Sequence, residues 1–286
     1  MTFRVTGQWW SAAVLAVICM TGSAGAADYA DVTRSVAARY QSTIDDMTAR
    51  LGDANASEAD RERYLHERGA AYSNLNHNEE AVRDFSEAID LAPTEVSHYV
   101  DRAYTYEKLG RDAEANSDLE FALGLRSADF WAYRGKGSLA MKRGAFDEAA
   151  NFFGRGLHAA RADETLYGVI WTAMTIGRGG NDNWQTLAGN VLDRVQARTW
   201  PMPILQLYSG RITPDEMLHA ASTQDPRVER DQACEAWYYL GQYHLIKGES
   251  DKARAAFEAS LATGVQEFVE YFWSQRELDA MGTAAR

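Results

Sequence analysis

The residues able to do chemistry are few, and their spacing is unhelpful to it. Six histidines, His66, His77, His98, His158, His219 and His244, are scattered along the chain, with no two at the i, i+4 spacing that puts two imidazoles on one helical face for zinc. The two cysteines, Cys19 and Cys234, are too far apart to form a ligand cluster. Gly135-Lys136-Gly137 and Gly154-Arg155-Gly156 open like dinucleotide loops, yet they lack the third glycine and a preceding strand, so they read as turn or packing glycines. The acidic pairs Glu79-Glu80 and Asp147-Glu148 stand at predicted helix starts, where carboxylates complement the helix dipole. No G-x-x-x-x-G-K-S/T, H-E-x-x-H or G-x-S-x-G motif occurs. The sequence predicts no enzyme, no metal and no cofactor, and directs attention to binding.

The elements that would present a binding surface come from a repeat. Leu65, Gly69, Tyr72, Ala81, Phe85, Ala88 and Pro93 become Tyr99, Ala103, Tyr106, Ala115, Leu119, Ala122 and Ser127 after a shift of 34 residues. A second shift gives Tyr133, Gly137, Ala140, Ala149, Phe153, Gly156 and Arg161. Large and small residues alternate through both shifts, apart from Ala140. Small residues belong where two helices touch closely, and large ones fill the gaps between neighbouring units. This is the tetratricopeptide pattern of paired antiparallel helices. Turns at Asn76-His77-Asn78, Gly110-Arg111-Asp112 and Gly144-Ala145-Phe146 separate helix A from helix B. Repeats are expected at 62–95, 96–129 and 130–163, with a fourth at 234–267 carrying Trp237, Leu240, Gly241, His244, Ala253 and Phe257.

Residues 164–233 read as irregular helical hairpins, with Thr213, Pro214 and Glu216 forming a helix start. A closing helix is expected near Glu267–Met281, and an amphipathic capping helix over Asp28–Leu51. The predicted fold is thus all-α, a tetratricopeptide repeat (TPR) solenoid with an irregular insert and capping helices.

The chain has 286 residues, with 29 Lys+Arg against 41 Asp+Glu and a net charge of −12. An acidic chain lacks the basic face that phosphate binding needs, so nucleic acid is excluded as a partner class. Residues 1–26 have the order of a secretory signal: Arg4, an apolar run from Trp9 to Met20, then Ala24-Gly25-Ala26 as a cleavage site. Cleavage would remove Arg4, taking the charge from −12 to −13, and leave Cys234 without an intramolecular disulfide partner. An uncleaved anchor and lipidation at Cys19 are the alternatives; the short apolar run and the bulky Ile18 disfavour them. A periplasmic location is expected.

Three blocks resemble the NlpI-type TPR lipoproteins of the bacterial envelope. They are Arg61–Pro93, with His66-Glu67-Arg68-Gly69 and Asp84-Phe85-Ser86; Trp200–Leu218, with Tyr208-Ser209-Gly210-Arg211-Ile212; and Tyr239-Leu240-Gly241-Gln242-Tyr243 through Gly264 to Glu270. The resemblance implies an adaptor that docks cell-wall hydrolases and proteases. A structural subunit of a secretion or outer-membrane assembly complex is the alternative, and an enzyme hidden in 164–233 a third reading.

In TPR arrays, repeat positions 2, 5, 9, 12 and 13 of the A helices line the concave groove. This places Arg63, His66, Tyr104, Glu107, Lys108, Trp131, Arg134, Met141, Tyr238 and Gln242 in a protein-binding groove of mixed character. It suits an amphipathic helix or an extended peptide. The competing expectation is that a terminal helix of the chain itself fills the groove. His66 and Ala70 stand where the chaperone-binding TPR clamp carries Lys and Asn, which disfavours that partner. The N-terminal amphipathic helix caps the array or packs on a second copy, so a homodimer is also open.

Overall fold

A computed structural model describes residues 26–193 and 199–284. Cys19 and the signal segment up to Gly25 lie outside the described residues, while Ala26 and Ala27, on either side of the expected cleavage site, fall in the first described helix. The described residues form fourteen helices and no strands, the all-helical solenoid that the repeat predicts.

Helix α1 (Ala26–Leu51) precedes three helix pairs: α2–α3 (Glu58–Asn74, Asn78–Leu91), α4–α5 (Val96–Lys108, Asp112–Leu125) and α6–α7 (Phe130–Lys142, Phe146–Leu157). The region after them is also helical: α8 (Ala162–Arg178), α9 (Asn183–Leu192), α10 (Met202–Tyr208) and α11 (Pro214–Ala220). Last come α12–α13 (Pro226–Ile246, Ser250–Ala262) and α14 (Val269–Ala284). No helix among the described residues is long and apolar enough to cross a membrane.

Local chemistry sets the helix limits. Ser57 starts α2, its hydroxyl accepting from Asp60 N at 3.1 Å. Thr213 and Glu216 form a reciprocal capping box on α11. Helix α12 starts at Pro226, eight residues before the expected fourth repeat, because the Asp225 carboxylate caps the Arg227 and Val228 amides. The A–B turns place Asn76, Gly110, Gly144 and Gly248 at positive φ, which requires residues that tolerate the left-handed region.

The pairs are held by a close contact at the A–B crossing. A Cβ built on Gly137 would come within 2.5 Å of Phe153, and one on Gly241 within 2.4 Å of Phe257; Gly69 against Phe85 is looser, at 3.0 Å. All three rings are buried, as are Ala81, Ala88, Ala149 and Ala253 around them. A second lock was legible at the same 34-residue spacing but escaped the sequence reading. Arg68 binds Asp84 through two hydrogen bonds of 2.7 and 2.8 Å, and Arg102 binds Asp118 through two of 2.8 Å. In the third repeat Lys136 takes the arginine's place and reaches Asn116 and Glu120 instead.

The array curls until its ends meet. Helix α1 packs on α2 through Val36, Ile44 and Met47, which are buried, and it also touches α12. The fully buried Arg230 of α12 fastens this closure. Its guanidinium donates to Thr33 of α1 at 3.1 Å, to Asp231 at 2.8 Å and to Glu267 at 2.5 Å. Asn76, in the first A–B turn, donates to Gln266 at 3.1 Å, so the segment before α14 also bridges back to the first repeat. Helix α1 therefore caps the array within one chain.

The glycine contacts give a direct test. Gly137→Ala is expected to destabilise the protein by about 1–3 kcal/mol, since a core this tight must shift to admit a methyl. Gly154→Ala, with nothing within 4 Å of the added carbon, is expected to be neutral or stabilising. Urea denaturation of the two variants against wild type checks the pair.

Candidate protein-binding groove

The A helices α2, α4, α6, α8 and α12 face the inside of the curl, and α14 lies against four of them. Trp273 Nε1 donates to Glu107 of α4 at 3.5 Å, and Arg276 stands 3.5 Å from the same carboxylate. Arg178 of α8 donates to Glu277 at 2.7 Å, and Gln242 of α12 donates to it at 2.8 Å. Tyr239 of α12 donates to Glu270 at 2.9 Å while accepting from Trp171 at 2.7 Å. On α6, Arg134 lies 5.9 Å from the Trp273 ring centre. The chain's own last helix occupies much of the concave face.

Three of the predicted groove residues are therefore corrected. Glu107 is 3% exposed and is held by Ser138, Trp273 and Arg276. Tyr238 and Gln242 are 0% exposed; Tyr238 packs against Trp273 and Phe257, and Gln242 joins Arg178 and Glu277. All three positions do face inward, but α14 seals them from solvent. Met141 is half-buried at a smaller cleft of about 210 Å³ beside Trp273 and Arg276.

The others divide into two groups. At the α2 end, Arg63 is exposed and pairs with Asp60 at 3.1 Å and Glu67 at 3.7 Å. His66 is half-buried, 2.7 Å from Asp101, with its ring centre 4.6 Å from that of His98. Lys108 donates to the Ser73 carbonyl at 2.6 Å, and burial lowers its pKa to about 8.

The second group stays open. Trp131 is 43% exposed, one of several large apolar side chains in partial contact with water. Beside it the Arg134 guanidinium carbon stands 5.5 Å from the Tyr104 ring centre and 5.6 Å from those of Trp131 and Trp171. These residues line a cleft of about 290 Å³, closed on its other side by Glu267, Phe268, Val269 and Glu270. Tyr167 and Trp171 also line it and were not among the predicted groove residues; Glu235, at a groove-facing repeat position of the fourth unit, lines it as expected. The first two lie on α8, outside the recognisable repeats, which is why repeat arithmetic missed them.

Glu235 is a strongly perturbed carboxyl of the cleft. It accepts from the Tyr167 hydroxyl at 2.8 Å and from Trp200 Nε1 at 3.1 Å. Burial, then the nearby Glu270, pushes its pKa up from 4.5 to about 8. Burial raises Glu270 as well. Among the described residues no group of three His, Cys, Asp or Glu side chains is arranged to hold a metal.

Comparison with known proteins agrees with this architecture. Residues 62–95 match the tetratricopeptide repeat family. Two solved structures resemble the chain over most of its length. One is a tetratricopeptide repeat protein from Parabacteroides merdae, 14% identical, covering 89% of this chain and 97% of that one with a TM-score of 0.53. The other is the Rap conjugation gene regulator of the plasmid pLS20 in complex with the Phr* peptide. It is 12% identical and covers 90% of this chain and 73% of that one, with a TM-score of 0.59. At these identities the likeness establishes the fold, a TPR-like solenoid.

The Glu235 environment predicts a pH dependence. A carboxyl whose pKa is raised by folding binds more protons in the folded state, so its contribution to stability falls as pH rises from about 4.5 to about 8. Glu235→Gln keeps an acceptor for Tyr167 and Trp200 but cannot ionise. The wild-type minus variant difference in unfolding free energy is expected to decline across that window, as read by urea titrations at fixed pH steps; a flat difference would refute the assignment.

Proposed function

We propose that the chain is an exported, non-catalytic scaffold of the bacterial envelope, binding protein partners such as cell-wall hydrolases or proteases at the open part of its concave groove. The observation that carries the reading is the exposed Trp131 beside Arg134 and Tyr104, on a face much of which α14 covers. An aromatic side chain left in water at the edge of a concave surface is the usual form of an interaction anchor. The repeat fold supports a binding role, and one structural neighbour is seen with a peptide. The signal-like order of residues 1–26 and the NlpI-type blocks support export and an envelope setting.

The test is cross-linking in the native host with residues 27–286, exported and tagged at the C-terminus, followed by mass spectrometry. Recovery of wall hydrolases or a periplasmic protease is expected, with the signal lost on Trp131→Ala. Recovery of secretion or outer-membrane assembly components would replace the adaptor by a structural subunit. Self-cross-links alone would remove the partner-binding reading.

A further inference from the structure

The outer layer of the second repeat carries an aromatic side chain that packing does not require. Phe121 of α5 is 50% exposed and lies over the ring of Tyr99 of α4, with centroids 4.6 Å apart. One repeat later the same slot holds Arg155. Its guanidinium carbon stands 4.6 Å from the Tyr133 ring centre, and it donates to the Tyr133 hydroxyl at 2.6 Å. One repeat earlier the slot holds Glu87, which is exposed. Both neighbouring repeats fill the slot with a charge; the second leaves a phenylalanine in water.

Phe121 has apolar company. Leu125, one helical turn further along α5, shares its face and is 40% exposed. Leu91, the equivalent of Leu125 one repeat earlier, ends α3 and is 39% exposed. Of the five large apolar side chains exposed among the described residues, these are three. Helices α3 and α5 are B helices, so this patch lies on the outer layer and not on the inner face that α14 covers. Scattered apolar side chains on a surface are ordinary, whereas grouped ones mark contact sites.

The charge of these two helices is one-sided. Together α3 and α5 carry nine acidic residues and one basic residue, Arg83. Asp84, Asp112, Asp118 and Glu120 are matched by Arg68, Lys142, Arg102 and Lys136. Glu87 and Asp90 make no ion pair among the described residues, and Glu87 acts on Arg68 only at longer range. Burial raises the Tyr99 pKa, against Arg102, and Asp118 and Asp90 add to the rise, which places the Asp90 charge near the aromatic pair.

This pattern selects the partner. Acidic groups beside an apolar patch repel anionic lipid headgroups and nucleic acid. A second copy laid on the same face would set Glu87 and Asp90 against their own equivalents, in a chain already at −12. The described residues form no strand to which an extended segment could add, so an incoming segment must satisfy its own backbone hydrogen bonds, as a helix does. We propose that the outer face of the first two repeats is a second docking site, for a basic amphipathic helix of a partner protein. Its apolar side chains seat on Phe121, Leu125 and Leu91, and its lysines or arginines meet Glu87 and Asp90. This site is separate from the concave groove and does not depend on the reading given for it.

The test uses the intact chain and a capped, fluorescein-labelled peptide of about 18 residues, long enough to hold a helix, with leucines on one face and lysines on the other. A second peptide carries glutamate at every lysine. Binding is read by fluorescence anisotropy at about 0.15 M salt. The lysine peptide is expected to bind and the glutamate peptide not to bind. Phe121→Ala is expected to weaken the lysine peptide about tenfold, the scale of an aromatic anchor. Leu125→Ala, which copies Ala159 of the third repeat, is expected to weaken it less. Glu87→Gln with Asp90→Asn is expected to weaken it and flatten its salt dependence. Trp131→Ala is expected to leave it unchanged. Exposed positions that carry Glu87, Arg155 or Ala159 in other repeats tolerate these substitutions, and urea denaturation checks that each variant folds.

No binding of the lysine peptide to wild type overturns the proposal, as does equal binding to wild type, Phe121→Ala and Leu125→Ala. Equal binding of the glutamate peptide removes the charge complementarity on which the partner rests and overturns it too. Loss on Trp131→Ala would move the site to the groove. Self-association of the wild-type chain that Phe121→Ala abolishes, as read by sedimentation, would assign the face to a second copy instead.

Discussion

The structure depends on how closely two helices of a pair can approach. Wherever Phe85, Phe153 or Phe257 lies across an A helix, a glycine faces it, and the ring occupies the space a methyl would need. Leu119 of the second repeat lies instead against Gly135 of the third, where an added Cβ would come within 2.7 Å of it. This contact fixes the separation within each pair. Stacked pairs with fixed separation and slight rotation produce the curl, and the curl creates the inner face on which Trp131, Arg134 and α14 lie.

Much of this was legible in the residues, because a 34-residue period is a strong signal. The alternation at Gly69, Phe85, Gly137 and Phe153 predicts helix pairs, and their crossings fall on these residues. The positive-φ turn positions Gly110 and Gly144 were equally visible. Illegible from periodicity was everything that joins distant segments. Arg230 reaching Thr33 spans 197 positions, and Trp273 reaching Glu107 spans 166. No local pattern encodes either contact. Glu107, Tyr238 and Gln242 were placed on the inner face by register alone, and register does not tell whether another helix covers that face.

The inner face shows two regimes of polar chemistry. Under α14 each charge is matched: Glu277 takes Arg178 and Gln242, and Glu107 takes Arg276 and Trp273. At the cleft the matching is looser. Arg134 stacks among rings, and Glu235 finds hydroxyl and indole donors rather than a cation. The Arg134 charge acts on Glu270 of α14, partly offsetting the rise that burial causes in that carboxyl's pKa.

Joining α1 to α12 through Arg230 also changes how the array comes apart. Open stacks of helix pairs are nearly one-dimensional, so the outermost units melt first and the loss travels inward. Here the first helix is tied to the last pair, and the helix after that pair is laid through the middle. Neither end is free to fray. The cheapest route to disorder is then no longer one terminal unit but a rupture of the closure itself, which couples distant repeats into a single cooperative element. A spring has become a clasped ring, stiffer in curvature than the same pairs would be in a line.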